Sequence, residues 1–358
     1  MKRILLFALA MLPLMLSCDK EKEKGDTSEV ILTDAGYYDG LLYYKVTSRT
    51  TNEVSIINIE DTTISVVNIP NHVRIDGTIY SSTGIGERAF ANCRRLVSIT
   101  LPSSIKSIGG YAFYNCEKLN SITLPSSITS IEEYTFYKCS SLASINIPEN
   151  VSFIGVYAFC GCFKLSSITI PDKVRMITMS SFSSCTSLKS VNIPESVTFI
   201  DDFAFADCRA LEKIEIPNSV KSIGVHAFRF CSSLTAINLP SSITSIGGFS
   251  FYGSGLASVL LPDDLLTIKR ASFSSCSSLV AVTIPQNVSY IEEVAFFQCE
   301  NLLSITCKGT TPPSFEKSDN TFDLEIFSKA TLYIPKGSLD RYKSSDGWNK
   351  FEHIVEEE

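Results

Sequence analysis

Apolar residues recur along this chain with a fixed period of 23 residues. From Phe90 the pattern reads F-x-x-C-x-x-L-x-x-I-x-L-P, and Phe273 alone arrives one residue early. The framework phenylalanines are Phe90, Phe113, Phe136, Phe159, Phe182, Phe205, Phe228, Phe251, Phe273 and Phe296. A repeat of this length is typical of a solenoid, in which each unit buries its apolar face only by stacking on its neighbours. The pattern therefore predicts one elongated repeat fold.

Each unit carries the spacing of two short extended segments. Ile122 and Leu124 are two residues apart, so they point to the same side of a strand, which Pro125 ends because it has no N–H to donate. Residues 129–131 predict a second extended segment before a turn. Residues 134–139 predict a helical turn or a short helix.

One unit departs from the period. After Phe251 the chain reads Gly253-Ser254-Gly255-Leu256, which is one residue short and places serine where other units have cysteine. Two interpretations stay open. The deletion is tolerated at a turn, or it kinks the solenoid and re-aims one face toward a partner.

The unit F-x-N-C-x-x-L-x-S-I-T-L-P, seen from Phe113 to Pro125, resembles the BspA-like bacterial leucine-rich-repeat family over residues 68–307. The resemblance implies an α/β, β-dominated fold: a right-handed leucine-rich-repeat solenoid of about ten 23-residue units with short parallel strands. Residues 39–44 resemble the family's N-terminal capping strand, and residues 332–337 with Tyr342 and Trp348 resemble its C-terminal cap. We therefore expect an N-terminal β capping unit at 26–67 and a C-terminal cap at 308–358.

The N-terminus carries a targeting pattern. Lys2 and Arg3 precede an apolar run, residues 4–16, which suits a signal peptide and is too short to span a bilayer. The run ends in Met15-Leu16-Ser17-Cys18, which resembles a bacterial lipobox. We expect a lipoprotein signal peptide at 1–17 and a lipidated Cys18, with secretion without a lipid as the alternative.

Residues 18–25 are charged after Cys18 and predict a flexible tether. Acidic residues directly after a lipidated cysteine resemble the surface-export signal of some Gram-negative anaerobes. The expected location is the outer membrane, lipid-anchored and facing the cell exterior. Attachment to its periplasmic face is the alternative.

The formal net charge is −7, and it becomes −9 when Lys2 and Arg3 leave with the signal peptide. An acidic surface disfavours nucleic acid and anionic lipid headgroups as partners. The lipid anchor is therefore the only membrane contact that we expect.

Twelve cysteines first indicate a disulfide framework, but most follow the 23-residue frame. Stacked cysteines have parallel Cβ directions, which suit a disulfide poorly, and cysteine is a small, readily buried residue. We expect a reduced, buried ladder. No Cys-x-x-Cys pair occurs, and Cys160-Gly161-Cys162 is too close in sequence to indicate a tetrahedral site. We therefore expect neither a metal nor a cofactor.

Catalytic chemistry has little support in the sequence. The only histidines are His72, His226 and His353, which a solenoid holds far apart. The acidic pairs at 132–133, 201–202 and 292–293 recur at one turn position, where adjacent side chains point apart. We interpret them as solvated turn charges and expect a non-enzymatic protein.

Two rows of side chains are candidate binding surfaces. The threonine–asparagine row occupies the outward slot of the first strand, and the alternative is that these residues merely suit an exposed parallel ladder. The aromatic row lies at the turn before the framework phenylalanine, and the alternative is that its rings cover the turns and are partly core. The first row is Thr100, Thr123, Asn146, Thr169 and Asn192, and the second is Tyr111, Tyr134, Tyr157, Phe203 and Phe249.

The resemblance implies adhesion, so the first hypothesis is a cell-surface lipoprotein that binds extracellular or cell-surface proteins of a host or of other bacteria. The second is a glycan-binding accessory lipoprotein that captures polysaccharide on the aromatic row. A hydrolase on the same scaffold is a third hypothesis, for which the sequence supplies no clustered acid and base. Neither the ligand nor the oligomeric state follows from the sequence.

Overall fold

A computed structural model describes residues 27–316 and 320–357 of the chain. The predicted signal peptide, the lipidation site Cys18 and the tether lie outside the described residues. Within the described ranges, every helix is too short or too polar to cross a membrane.

The chain forms a β-dominated solenoid of stacked parallel strands, which confirms the fold that the repeat predicts. The first eight strands are β1 (Thr27–Glu29), β2 (Ile31–Thr33), β3 (Gly36–Tyr38), β4 (Leu42–Ser48), β5 (Glu53–Ile59), β6 (Val66–Asn68), β7 (His72–Ile75) and β8 (Thr78–Ile85). The coils then carry β9 (Ser98–Thr100), β10 (Ser107–Ile108), β11 (Ser121–Ile122), β12 (Ser130–Ile131), β13 (Phe153–Ile154), β14 (Ser167–Thr169), β15 (Met176–Ile177), β16 (Ser190–Asn192), β17 (Phe199–Ile200), β18 (Lys213–Ile214), β19 (Ser222–Ile223), β20 (Ser245–Ile246), β21 (Ser258–Leu260), β22 (Thr267–Ile268), β23 (Ala281–Ile284), β24 (Tyr290–Ile291), β25 (Ser304–Cys307) and β26 (Ser314–Phe315).

The N-terminal end is a mixed sheet in the order β1-β7-β8-β5-β4-β3-β2. Its strands β7 and β8 lie beyond residue 67, and β8 pairs with the coil strand β10, so this sheet runs directly into the first coils. The strand β6 instead pairs with β9, the first strand of its coil, and so begins the row of parallel strands that the first strands of successive coils form. Tyr44 is buried in the sheet, and its hydroxyl donates to Asp39 Oδ2 at 2.6 Å.

The coils stack in register, one repeat above the next. Ser121 pairs with Ser98 and Ile122 with Ile99, an offset of one full repeat. The framework phenylalanines form an uninterrupted buried ladder with ring centroids 5.4–5.5 Å apart and interplanar angles of 4–12°. Phe322, which the period does not identify, adds an eleventh ring from within the C-terminal cap.

The helical turn predicted at residues 134–139 is wrong. Tyr134 and Lys138 have left-handed backbones, with φ of 54° and 55°, which a right-handed helix excludes. The N–H groups of Tyr134 and Phe136 donate to Val156 O and Ala158 O in the next coil, at 3.0 and 2.8 Å. Because these donors serve the neighbouring coil, the segment forms successive turns that tie the coils together.

The short unit after Phe251 leaves the solenoid continuous. Phe251 stacks on Phe273 at 5.4 Å, as in other coils, and Leu256 is fully buried. A Cβ at Gly255 would lie 2.2 Å from Ser232 O, so glycine allows the shortened chain to cross close to its neighbour. The structure thus favours the tolerated deletion over the kink.

The C-terminal cap closes the stack with two further strands and short helices. These elements are α1 (Ile326–Lys329), β27 (Thr331–Pro335), α2 (Leu339–Ser344), a 3₁₀ turn (Trp348–Lys350) and β28 (His353–Glu357). The strand β27 pairs with β25, and β28 covers β27 as the edge. The carboxylates on β28 make this edge unattractive for pairing with another chain.

The residue before each framework phenylalanine is buried; it is alanine in six of the ten units, threonine at 135 and serine at 181, 250 and 272. No described residue offers Ser181 Oγ a hydrogen bond. We expect Ser181→Ala to raise the free energy of unfolding by about 1 kcal/mol, because an unpaired buried hydroxyl is removed. Urea denaturation checks this, with Ala158→Ser as the matched reverse change. A loss of stability in Ser181→Ala would contradict the expectation.

The framework cysteines form a buried ladder of free thiols. Cys139 Sγ donates to Phe113 O at 3.2 Å, and seven other framework thiols make the equivalent bond at 3.1–3.3 Å. Each thiol therefore hydrogen-bonds the phenylalanine one coil earlier.

Burial raises the pKa of these thiols from 9.0, to about 11 for Cys93 and Cys276. Burial also raises the pKa of Cys307, a buried cysteine of β25 outside the framework, to about 12. Above pH 9 the unfolded chain therefore loses protons that the folded chain keeps. We expect the free energy of unfolding to fall as the pH rises from about 9 toward these folded pKa values, by about 1.4 kcal/mol per pH unit for each such thiol. Urea midpoints at pH 8 and pH 10 test this, and equal midpoints would contradict it. Cys208→Ala should show a shallower decline than the parent chain.

Candidate functional site

The aromatic row occupies a backbone position that disfavours aromatic residues. Tyr111, Tyr134 and Tyr157 have φ of 59°, 54° and 58°, and Phe203 and Phe249 both have 57°. A left-handed backbone is uncommon for bulky side chains and is usually filled by glycine or asparagine.

Each coil contains a second left-handed position four residues later, which serves as an internal comparison. That position holds Asn92, Asn115, Asp207, Gly161 and Gly253, the residue types that this backbone tolerates best, and it also holds Lys138, Ser184, Phe230, Ser275 and Gln298. The fold therefore requires two left-handed residues per coil but requires an aromatic at neither. We infer that the rings of the aromatic row are there for what their side chains contact.

The tyrosines of the aromatic row form one stacked cluster. Tyr111 and Tyr134 lie 4.6 Å apart between ring centroids, and Tyr134 and Tyr157 lie 4.8 Å apart. The Arg88 guanidinium covers the outer face of the stack, 4.4 Å from the Tyr111 centroid. All three rings are half-buried. A parallel second stack of Tyr114 on Tyr137, at 5.1 Å, lies beside the first.

Phe203 and Phe249 belong to a second cluster, because buried Ser180 takes the aromatic position in the coil between Tyr157 and Phe203. His226, which the sequence assigns to the same slot, lies between the two phenylalanines, with ring centroids 4.5 and 4.8 Å away. Burial first, and then the charge of Arg229, lower the pKa of His226, so it is neutral at physiological pH. The sequence pattern thus lists the rings correctly but does not show that they separate into two groups.

The cations on the rings were missed by sequence reasoning. Besides Arg88, the Arg229 guanidinium lies 4.6 Å from the Phe230 centroid and 5.6 Å from that of Tyr252. Arg88 lies one repeat before Tyr111, in the slot of the aromatic row, and Arg229 lies one repeat before Tyr252, in the slot three residues later. This spacing of one repeat between an arginine and an aromatic residue is the signal that could have identified both cations.

The threonine–asparagine row lies on an exposed face, as its alternating position predicts. Thr123 pairs with Asn146, and Thr169 pairs with Asn192. Thr100 extends the row toward β6. All five side chains are exposed, and part of the face lines a shallow groove of about 370 Å³ with Ser167 and Lys213. The groove therefore offers hydroxyls and amides together with the charged side chains of Lys213 and Glu215.

The acidic turn pairs have structural partners. Asp202 Oδ1 accepts from Val225 N at 2.6 Å, and Glu292 Oε1 pairs with Lys269 Nζ at 3.0 Å. Glu132 Oε1 accepts from the Ser130 hydroxyl at 2.6 Å. No cluster of metal-ligating side chains occurs in residues 27–316 and 320–357. These carboxylates order turns between coils rather than forming a facing acid and base.

Six copies of the BspA-type leucine-rich-repeat region match residues 59–161, 83–212 and 198–318. The chain belongs to the BspA-type leucine-rich-repeat family. No curated protein matches it at a significant level.

Solved structures of bacterial proteins share the BspA-type fold. A leucine-rich-repeat protein from Bacteroides ovatus superposes with a TM-score of 0.72 at 26% identity, over 88% of this chain and 80% of that one. A leucine-rich cell surface protein from Faecalibacterium prausnitzii has a TM-score of 0.51 at 25% identity, over 91% and 96% of the two chains. The pneumococcal vaccine antigen PcpA shows the same fold, at 0.55 and 19% identity over 92% and 98%.

Proposed function

We propose that this chain is a non-enzymatic lipoprotein of the outer membrane that faces the cell exterior and binds proteins of a host or of other bacteria. The observation that carries the proposal is the aromatic row. Stacked, half-exposed rings occupy a backbone position that favours glycine or asparagine, so their presence serves the surface and not the fold. Aromatic side chains are enriched at protein interfaces because they bury large area with few rotatable bonds.

Protein binding is favoured over polysaccharide capture by the orientation of the rings. A sugar binds an aromatic side chain by lying on a free ring face, whereas the faces of Tyr111 and Tyr134 are covered by neighbouring rings and by Arg88. Tyr111 and Tyr134 therefore present ring edges and hydroxyl groups. Those groups suit hydrogen bonds and edge contacts with a protein surface.

The comparisons support a surface location without naming a ligand. The Faecalibacterium protein, of nearly the same extent, is described as a cell surface protein. Lipidation of Cys18 is the anchoring step of the proposal. Metabolic labelling with a radioactive fatty acid tests it, since Cys18→Ala should abolish the label.

The binding proposal is tested with purified residues 19–358 on one array of matrix and cell-surface proteins and one array of polysaccharides. The variant changes Tyr111, Tyr134 and Tyr157 to serine, which the same slot carries naturally at Ser180. We expect protein hits that the variant loses. Polysaccharide hits that the variant loses would replace this proposal with nutrient capture.

A further inference from the structure

One outward position of the coils changes character over three successive repeats. The first residue of the second strand is serine in β10, β12, β19 and β20. In β13, β15 and β17 it is Phe153, Met176 and Phe199. Because the serine coils have the same strand geometry, the fold does not require an apolar residue here.

The next outward position lies three residues later in each coil. It is also apolar in the coils of Phe153 and Met176. It holds Val156 after Phe153 and Met179 after Met176, where neighbouring coils carry Glu133 and Asp202. Phe153, Met176 and Met179 are 43%, 37% and 36% exposed. We call Phe153, Val156, Met176, Met179 and Phe199 the apolar patch. A contiguous exposed apolar area with polar surroundings is typical of an interaction site.

Carboxylates border the apolar patch at both ends along the solenoid axis. Glu132 and Glu133 precede it by one coil, and Asp201 and Asp202 follow Met179 by one coil. Glu132 and Glu133 share a concavity of about 340 Å³ with Phe153, Val156 and Glu87. Glu133 is exposed, and no described residue forms an ion pair with its carboxylate.

The two acidic ends are three coils apart, about 14 Å at the spacing of paired strands. An extended peptide rises about 3.4 Å per residue, so about four residues of it span this distance. We propose that the apolar patch docks an extended segment of a partner protein that carries apolar residues between lysines or arginines. The segment lies along the solenoid axis, with its apolar side chains on Phe153, Met176 and Met179 and its cations at the two acidic ends.

Charge selects this occupant over the other candidates. A second copy of the chain would bring a patch with the same acidic borders against this one, and like charges at an interface oppose association. Nucleic acid and anionic membrane are repelled by the same carboxylates. The proposal rests on the protein-binding function and adds the chemistry of the partner.

Three fluorescein-labelled peptides test the proposal by fluorescence anisotropy with residues 19–358. The first has two lysines on each side of Leu-Phe-Leu, the second replaces the lysines with glutamates, and the third keeps the lysines and has Ser-Gly-Ser at its centre. We expect only the first to bind. Phe153→Ser with Met176→Ser should weaken it about tenfold or more, because the apolar anchors are lost. Both changes restore a residue that other coils carry at this position, so the fold is kept.

Charge variants complete the test. Glu132→Gln with Glu133→Gln should weaken the first peptide about tenfold and reduce its salt dependence. Arg175→Glu, which adds a carboxylate beside Met176, should strengthen binding. The proposal would be overturned if the first and third peptides bound the parent chain equally well. It would also be overturned if the first peptide bound the variant with Phe153→Ser and Met176→Ser as tightly as the parent chain.

The array experiment separates this proposal from the general function. Suppose that a protein binds the chain with Phe153→Ser and Met176→Ser but does not bind the chain in which Tyr111, Tyr134 and Tyr157 are serine. That result would overturn the docking of partners on the apolar patch and would leave the protein-binding function intact. Arrays without any protein hit would overturn the function itself.

Discussion

Phe159→Ala should lower the free energy of unfolding by about 3–5 kcal/mol, the largest effect that we expect from a single change in the coils. Phe159 is fully buried and stacks on Phe136 at 5.4 Å and on Phe182 at 5.5 Å. Its removal leaves a cavity in the middle of the ladder and takes contacts from both neighbouring coils. Urea denaturation followed by far-ultraviolet circular dichroism measures the loss.

Phe153→Ala is the matched control for that experiment. The two phenylalanines are in the same coil, but Phe153 is 43% exposed and belongs to the apolar patch. Its truncation should change stability by no more than about 0.5 kcal/mol, as surface substitutions usually do. Equal losses for the two variants would contradict the assignment of Phe159 to a buried ladder and Phe153 to the surface.

Trp348→Ala should cost about 3–5 kcal/mol, because it removes the centre of the C-terminal cap. Trp348 is fully buried, and its ring centroid lies 4.8 Å from that of Phe315 and 5.7 Å from that of Tyr342. Its Nε1–H donates to Pro313 O at 2.7 Å, which fixes the segment between the last coil and the cap. Hydrogen–deuterium exchange should show the loss of protection first in β27 and β28.

Trp348→Phe separates packing from the hydrogen bond. It keeps an aromatic ring but leaves Pro313 O without its donor, so we expect a smaller loss of about 1–3 kcal/mol. Leu324→Ala, at a side chain that is 75% exposed, serves as the control and should be near neutral. A Trp348→Ala chain as stable as the parent would show that the cap does not seal the stack.

The solenoid could be predicted from the sequence because its physics is local and repeated. A fixed period places like residues on like, so Phe113 against Phe90 and Ile122 against Ile99 follow from counting residues. Phe322 could not be found this way, since it lies outside the period and joins the ladder only through the folding of the cap. The turn at 134–139 was mispredicted as helical because the sequence does not show that the alternate N–H groups, those of Tyr134, Phe136 and Lys138, bond to the next coil.

The sequence predicts which residues of the candidate surfaces share a face, but it does not predict their backbone conformation or which side chains touch. The slot spacing of Tyr111, Tyr134 and Tyr157 identifies one face, and the structure places them in contact. The left-handed backbone of these tyrosines is what indicates that their rings serve a surface. Glycine or asparagine would have predicted that backbone, whereas a tyrosine does not, so it could not be found from the sequence. The division of the row at Ser180 likewise depends on which rings actually touch.

The most direct test of the account compares two variants on the strongest protein hit from the array. One variant changes Tyr111, Tyr134 and Tyr157 to serine, and the other changes Thr100, Thr123 and Thr169 to alanine. Surface plasmon resonance should give an affinity about tenfold or more weaker for the tyrosine variant and unchanged for the threonine variant, because the aromatic row is the proposed contact surface. Loss of binding in the threonine variant alone would contradict the account and would move the binding surface to the exposed strand face.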